Sequence, residues 1–236
     1  WNDEYDLSGK RIGVIGTGSS SVQMLSPLAH TGKQVNLFQR TAQWIMHTEN
    51  IEYSPFDKFL KRKIPLLGYL TRRFYDLIGE LFGQAALKDG WQRRYIDKAT
   101  LENLNTVKDP DLRKKLTPDH KAMCKRMIVS DTYYPAIQRD NVEVITDNIL
   151  RIEPKGVVVD DGSDSGRLVE IDTLITATGF YPNAWGVNTI IGENGATLEE
   201  RWDAGVRTYR SITMPGFPNF FMMIGTNSPI TNLSLI

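Results

Sequence analysis

The chain has 236 residues, 41% hydrophobic and 24% charged. That is the composition of one or two globular domains, and it excludes disordered, collagen-like and low-complexity classes. Twenty-eight basic residues balance twenty-eight acidic ones, so a protein that binds nucleic acid by neutralising phosphates is not expected. A single cysteine, Cys124, leaves no internal disulfide and no Cys-rich zinc site, which points to a reducing, cytoplasmic setting. No apolar run nears the roughly 18 residues of a membrane span, and membrane association is not expected. The opening Trp1-Asn2-Asp3-Glu4 lacks both the basic and the apolar part of a signal peptide. It also lacks an initiator Met, so a partial or trimmed chain is expected.

Taken in chain order, Arg11-Ile12-Gly13-Val14-Ile15 reads as a buried parallel strand. Gly16-Thr17-Gly18-Ser19-Ser20-Ser21 follows as a loop. Val22, Leu25, Leu28 and Ala29 then fall at helical spacing, with Gly32 as the stop and Pro27 as a source of bending. Val35-Asn36-Leu37-Phe38 is the next strand. Strand, loop, helix, strand is half of a dinucleotide-binding unit. Residues 48–118 read as helices rich in basic side chains. Phe56, Phe59, Leu60 and Ile64 recur at helical spacing before Pro65 stops them. Phe74, Leu77, Ile78, Leu81, Phe82 and Ala85 form a second stripe. Asp109-Pro110 opens a short helix as cap and first residue. Beyond residue 119 the pattern returns to strands. Val142–Ile145 is one, and Val157–Val159 pairs with Leu168–Ile171 as a hairpin across the Asp160–Gly166 turn. Leu174–Ala177 is a buried strand that runs into Thr178-Gly179-Phe180.

The glycine loop carries the first chemistry. A phosphate needs backbone N–H groups at a helix N-terminus, and glycines let the backbone come close. Gly16 suits the tight turn and Gly18 the close approach, with Ser21 at the third small position. The loop follows a strand and precedes a helix, which is the context the motif requires. An NAD site usually places an acid at the end of the second strand, where it bonds the ribose. Here stand Gln39, Arg40 and Thr41. The planar fork of arginine suits a phosphate, so NADP is expected, with Arg40 and Thr41 at its 2′-phosphate.

Five segments together resemble the flavin-containing monooxygenases, and among them the Baeyer–Villiger monooxygenases. Gly9–Ser20 resembles the family's NADPH loop and Phe38-Gln39-Arg40-Thr41 its 2′-phosphate corner. Cys124-Lys125-Arg126-Met127, with Ser130 and Tyr133-Tyr134-Pro135, resembles the Baeyer–Villiger lysine–arginine segment. Ala177-Thr178-Gly179-Phe180 is similar to the family's A-T-G-F turn. Pro215–Phe221, continuing to Gly225-Thr226-Asn227-Ser228-Pro229, is similar to its late flavin-side segment. There are departures. Of the family fingerprint only Trp1 remains, followed by Asn2 where Pro or Asp is usual, and Thr226 replaces a usual Pro. The family's first Gly-rich loop, which binds FAD, would lie upstream of Trp1.

The resemblance implies an α/β fold: a doubly wound parallel sheet for NADP, a helical insertion and part of a second, FAD-type dinucleotide domain. The boundaries expected are 1–47 and 119–176 for the NADP domain, 48–118 for the insertion and 177–236 for the partial FAD domain. It implies FAD and NADP(H) as cofactors and a small-molecule ketone and O₂ as substrates. NADPH reduces FAD, O₂ adds to it, and the resulting peroxide attacks the ketone to give an ester or lactone. The cofactor-binding residues implied are Gly16, Thr17, Gly18, Ser19, Ser20, Arg40, Thr41, Lys125, Thr178, Gly179 and Asn227. The catalytic residue implied is Arg126, a permanent cation that favours an anionic peroxide. Lys125 and Arg126 are consecutive, so in an extended segment they point to opposite faces. One can then reach a phosphate while the other faces the flavin. Two other readings stand beside this one: a flavin monooxygenase acting on nitrogen or sulfur, and an NADP-binding module without redox chemistry.

Other constellations carry less. His30, His47 and His120 show no metal spacing, and no G-x-S-x-G elbow surrounds the serines. Cys124 beside two cations is read as structural. Lys58, Lys61, Arg62 and Lys63 among apolar residues are read as the wet face of a core-facing helix rather than a membrane-surface helix. Trp185, Trp202 and the Phe217–Phe221 aromatics are read as core.

Overall fold

The computed structural model describes residues 4–49, 52–125, 127–180, 190–203 and 205–222, the side chains of Ala86 and Leu87 excepted. The chain forms two compact units, Trp1–Gly179 and Phe180–Ile236.

The first unit is built on a four-stranded parallel sheet. Its strands are β1 (Arg11–Ile15), β2 (Gln34–Phe38), β5 (Val142–Ile145) and β9 (Thr173–Thr176), in the order β5-β2-β1-β9. Ile12, Gly13 and Val14 are all buried, as a strand covered on both faces requires. Helix α1 (Ser19–Thr31) connects β1 to β2 and lays Val22, Leu25, Leu28 and Ala29 on one face of the sheet. It runs through Pro27 and ends at Gly32, whose N–H donates to the Leu28 carbonyl. The short α6 (Tyr133–Ile137) packs beside it, with Tyr133 and Tyr134 in the same core.

A three-stranded antiparallel meander covers the other face: β6 (Ile149–Glu153), β7 (Gly156–Val159) and β8 (Arg167–Glu170). Val157, Val159 and Val169 meet Phe38 and Ile145 there. The β7–β8 hairpin is the one expected from the sequence, and β6 extends it by a strand. Each fully buried aliphatic in these two cores stabilises the fold by roughly 1.5–3 kcal/mol.

Four helices fill residues 55–115: α2 (Pro55–Lys63), α3 (Pro65–Leu87), α4 (Trp91–Leu104) and α5 (Pro110–Lys115). Ser54 and Asp57 form a capping box on α2, satisfying two orphan donors at its start. Asp109 caps α5 by accepting from the Asp111 N–H. Pro65 ends α2, but it also occupies the first turn of α3, where a missing N–H costs nothing.

The expected core-facing role of α2 is corrected by the structure. No residue of α2 is buried, and Phe56 and Phe59 are 68% and 56% exposed. The α3 stripe is likewise open at Phe74 and Leu77, is half-buried from Ile78 to Phe82, and is buried only at Ala85, where Phe82 and Ala85 pack with Ile96 of α4. Helical periodicity marks an apolar face, but it does not say that a neighbour exists to cover it.

Two short strands complete the first unit. The two-residue strands β3 (Ile45–Met46) and β4 (Ile128–Val129) pair in parallel, Ile45 opposite Ile128. In the second unit, α7 (Leu198–Asp203) is preceded by Thr197, which exchanges hydrogen bonds with Glu200. Leu198, Met214 and Phe217 form its core, with Trp202 and Phe220 packed on it. Phe221 is exposed. Among the described residues no helix is long and apolar enough to cross a membrane.

Candidate functional site

In an open parallel sheet, ligands bind beyond the C-terminal ends of strands, where the strand order reverses. Here the chain moves from β1 outward to β2 and β5, then returns to β9 on the other side of β1. The reversal falls between β1 and β9, and the glycine loop leaves β1 at that point. Gly16 has a φ of +116°, a conformation that side chains rarely adopt, and a Cβ there would lie 2.3 Å from the Ala177 carbonyl oxygen. Only glycine lets the two strand ends come this close. The Gly16 N–H donates to the Phe38 carbonyl at 3.2 Å, and the Ala177 N–H to Ile15 at 2.9 Å. The loop is therefore stitched to β2 on one side and to the Thr178-Gly179 turn on the other.

Gly18 is the N-cap of α1 and is exposed, and a Cβ on it would meet nothing within 4 Å. No side chain caps α1, and its first turn holds no acid. The first N–H groups of a helix have no partner within it, and with the helix dipole they form an anion site. Ser19 and Ser20 open the helix at the rim. Ser21, the third small residue of the motif, is buried under the loop, its hydroxyl without a hydrogen-bond partner among the described residues.

Thr17 holds the two halves of this corner together. Its hydroxyl donates to the Thr41 carbonyl at 2.7 Å, so it fixes the loop to the segment after β2. Gln39 is buried and donates to the Lys115 carbonyl, whereas Arg40 is exposed. The structure thus gathers Gly16, Thr17, Gly18, Ser19, Ser20, Arg40, Thr41, Thr178 and Gly179 at one edge of one sheet.

A ribbon that sequence reading missed relates the segment of Lys125 to the segment after Thr41. Thr41 precedes β3 and Lys125 precedes β4 by a few residues each. Because β3 and β4 are parallel and in register, both segments enter the ribbon from the same end. Trp44 reinforces the join by donating its indole N–H to the His120 carbonyl at 2.6 Å. Lys125 itself is exposed. Arg126 and Asn227, with Trp1, Trp185 and residues 223–236, lie outside the described residues.

A parallel sheet with an open glycine loop at its switch point defines a Rossmann-like domain. Comparison with known proteins gives the family: the chain belongs to the flavin-binding monooxygenase-like proteins, whose family model matches residues 2–185. It is 40% identical over 236 residues to an uncharacterised monooxygenase of Mycobacterium tuberculosis, covering all of this chain and 47% of that protein. It is 34% identical over 238 residues to a Baeyer–Villiger monooxygenase of Streptomyces coelicolor, again over all of this chain and 45% of the relative. Among solved structures, a cyclohexanone monooxygenase triple mutant from Rhodococcus sp. Phi1 bound to NADP⁺ superposes with a TM-score of 0.78 at 25% identity. That match covers 99% of this chain and 51% of the other. An oxidised steroid monooxygenase bound to NADP gives 0.75 at 27% identity, over 94% and 49%. The chain spans about half the length of the curated relatives it matches.

Proposed function

We propose that this chain is the NADPH-binding portion of a cytoplasmic, FAD-dependent monooxygenase that inserts one oxygen of O₂ into ketones to give esters or lactones. The observation that carries the reading is the open, uncapped start of α1 beside an acid-free β2 end bearing Arg40. Two relatives named Baeyer–Villiger monooxygenases, from Streptomyces coelicolor and Pseudomonas aeruginosa, support the choice of reaction.

The residues fit NADPH. A Cβ on Gly18 would meet nothing within 4 Å and no side chain caps α1, so the first-turn N–H groups at Ser19 and Ser20 would hold the pyrophosphate. Thr17 orients the loop. Arg40, Thr41 and Lys125 would hold the 2′-phosphate, and NADPH when bound would supply a hydride. The domain reading that accompanies this places NADPH on 1–47 and 119–176, the helical insertion on 48–118 and a flavin-side part on 177–236. FAD does not fit on these residues alone. The sequence holds one Gly-x-Gly loop, Gly16-Thr17-Gly18, and the NADPH reading claims it. Thr178, Gly179 and Asn227 are read as residues that approach the flavin within a larger protein.

Arg126 is read as a fixed cation on the flavin side of Lys125. The test uses FAD-loaded protein carrying this chain, with NADPH, O₂ and a panel of cyclic and linear ketones. One ester or lactone per NADPH consumed is expected. Arg126→Ala should cut the ester yield by at least about 10²-fold while NADPH is still oxidised, the loss typical of one electrostatic stabiliser. Oxidation of amines or sulfides with no ester from any ketone would overturn the reading.

A further inference from the structure

This inference rests on the reading of Lys125 as a 2′-phosphate ligand. Arg93 of α4 is only 8% exposed, and burying a guanidinium costs free energy unless its donors find partners. Its Nη1 donates to the Ala85 carbonyl at 3.2 Å. That carbonyl lies in the last turn of α3, where helix carbonyls have no partner of their own. Its Nη2 donates to Cys124 Sγ at 3.7 Å. Its Nε lies 3.8 Å from Asp97 Oδ1, an ion-pair distance too long for a good hydrogen bond, and Asp97 is half exposed. Among the described residues its Nε has no hydrogen-bond partner, so the cation depends on its two Nη contacts. Its partner outside the helices is Cys124, the residue before Lys125.

The turn it grips is not held by its own backbone preference. Met123 has a φ of +66°, uncommon for a non-glycine residue, so its surroundings hold it there. Ala122 packs beneath the turn against Ala85 and Ile96. On the other side of the β3–β4 ribbon, Asn103 of the same helix donates to the Ile45 carbonyl at 3.0 Å. Arg93 and Asn103 are ten residues apart on α4, about 15 Å along the axis. One rigid helix therefore bonds both segments that carry the cations.

We infer that Arg93 is a positioning residue: through Cys124 it fixes the Lys125 turn, and with Asn103 it makes α4 the brace that aligns Lys125 with Arg40 and Thr41 at the 2′-phosphate. The test is titration of NADPH and NADH against Arg93→Met, Cys124→Ala, Lys125→Ala and the double variants with Lys125→Ala. Arg93→Met should weaken NADPH roughly fivefold, the scale of one net hydrogen bond, and leave NADH unchanged. In the Lys125→Ala background it should cost nothing further. Cys124→Ala, a change at an exposed site, should repeat the pattern if Arg93→Met fails to fold. Equal losses for NADPH and NADH, or additive losses in the double variants, would overturn the inference. A Lys125→Ala protein with unaltered NADPH affinity would instead overturn the reading of Lys125 on which it rests.

Discussion

Gly16 and Gly18 sit two residues apart and answer to different demands. Gly16 holds a positive φ and touches the Ala177 carbonyl, whereas Gly18 has an ordinary extended backbone and open space above it. Gly16→Ala is therefore expected to destabilise the fold by more than about 1 kcal/mol, seen as a drop of several degrees in Tm. Gly18→Ala should leave Tm within about 2 °C but place a methyl group where the pyrophosphate approaches, weakening NADPH by about tenfold or more. Unchanged NADPH affinity in that variant would remove the loop from the cofactor site. Arg40 makes a separate contribution. Unaltered protein should prefer NADPH to NADH, and Arg40→Ala should cost about 1–3 kcal/mol for NADPH alone, the range of a charge-assisted bond. Calorimetric titration with both nucleotides decides this, and equal affinities in the unaltered protein would contradict it.

At the scale of elements, the join between β1 and β9 is electrostatic as well as hydrogen-bonded. Arg11 donates its backbone N–H to Asp172 at 2.8 Å and its Nη2 to the same carboxylate at 2.7 Å, and it also pairs with Glu170. The Arg11 bonds hold the Asp172 carboxyl at about 2, below its ordinary 3.8. A depressed carboxylate pKa contributes stability that is full above the unfolded value and is lost as pH falls toward the folded one. The difference in urea midpoint between unaltered protein and Asp172→Asn should thus be constant from pH 7 to about 5, shrink below pH 4 and vanish only below pH 2. A difference independent of pH would show that shape rather than charge makes the join. The β3–β4 ribbon is a smaller element, four residues in all, yet it relates the segment before Ile45 to the segment before Ile128. The helices α2, capped at Ser54, and the 23-residue α3 sit at the opposite extreme, largely solvated.

On the scale of the whole molecule, the chain spans about half of its relatives and carries one Gly-x-Gly loop. A flavin dinucleotide needs a phosphate cradle of its own. The 236-residue polypeptide expressed by itself should bind NADPH yet purify colourless, or retain FAD well below one per chain. Absorbance near the flavin bands after desalting measures this, and a yellow, stoichiometric protein would refute the assignment of the loop to NADPH. The division into Trp1–Gly179 and Phe180–Ile236 falls directly after the Thr178-Gly179 turn, where Gly179 has a φ of +100°.

What the sequence determined by itself was everything local. The strand, glycine loop, helix and strand of 11–38 were legible because burial on two faces, helical spacing and a phosphate-type loop each leave a short-range pattern. The β7–β8 hairpin and the Asp109 cap were legible for the same reason. Pro65 was only half read: it ends one helix, and the next begins on it because proline costs nothing in a first turn. Tertiary structure decided the rest. Strands of two residues, such as Ile45–Met46 and Ile128–Val129, are too short to show any period, and they are what bring the Arg40 and Lys125 segments to one end of one ribbon. Periodicity named the apolar face of α2, but only packing reveals that Phe56 and Phe59 stay in water. Arg93 reads as one more helical cation until the fold buries it between Ala85 and Cys124, because burial belongs to the space between elements and not to any one of them.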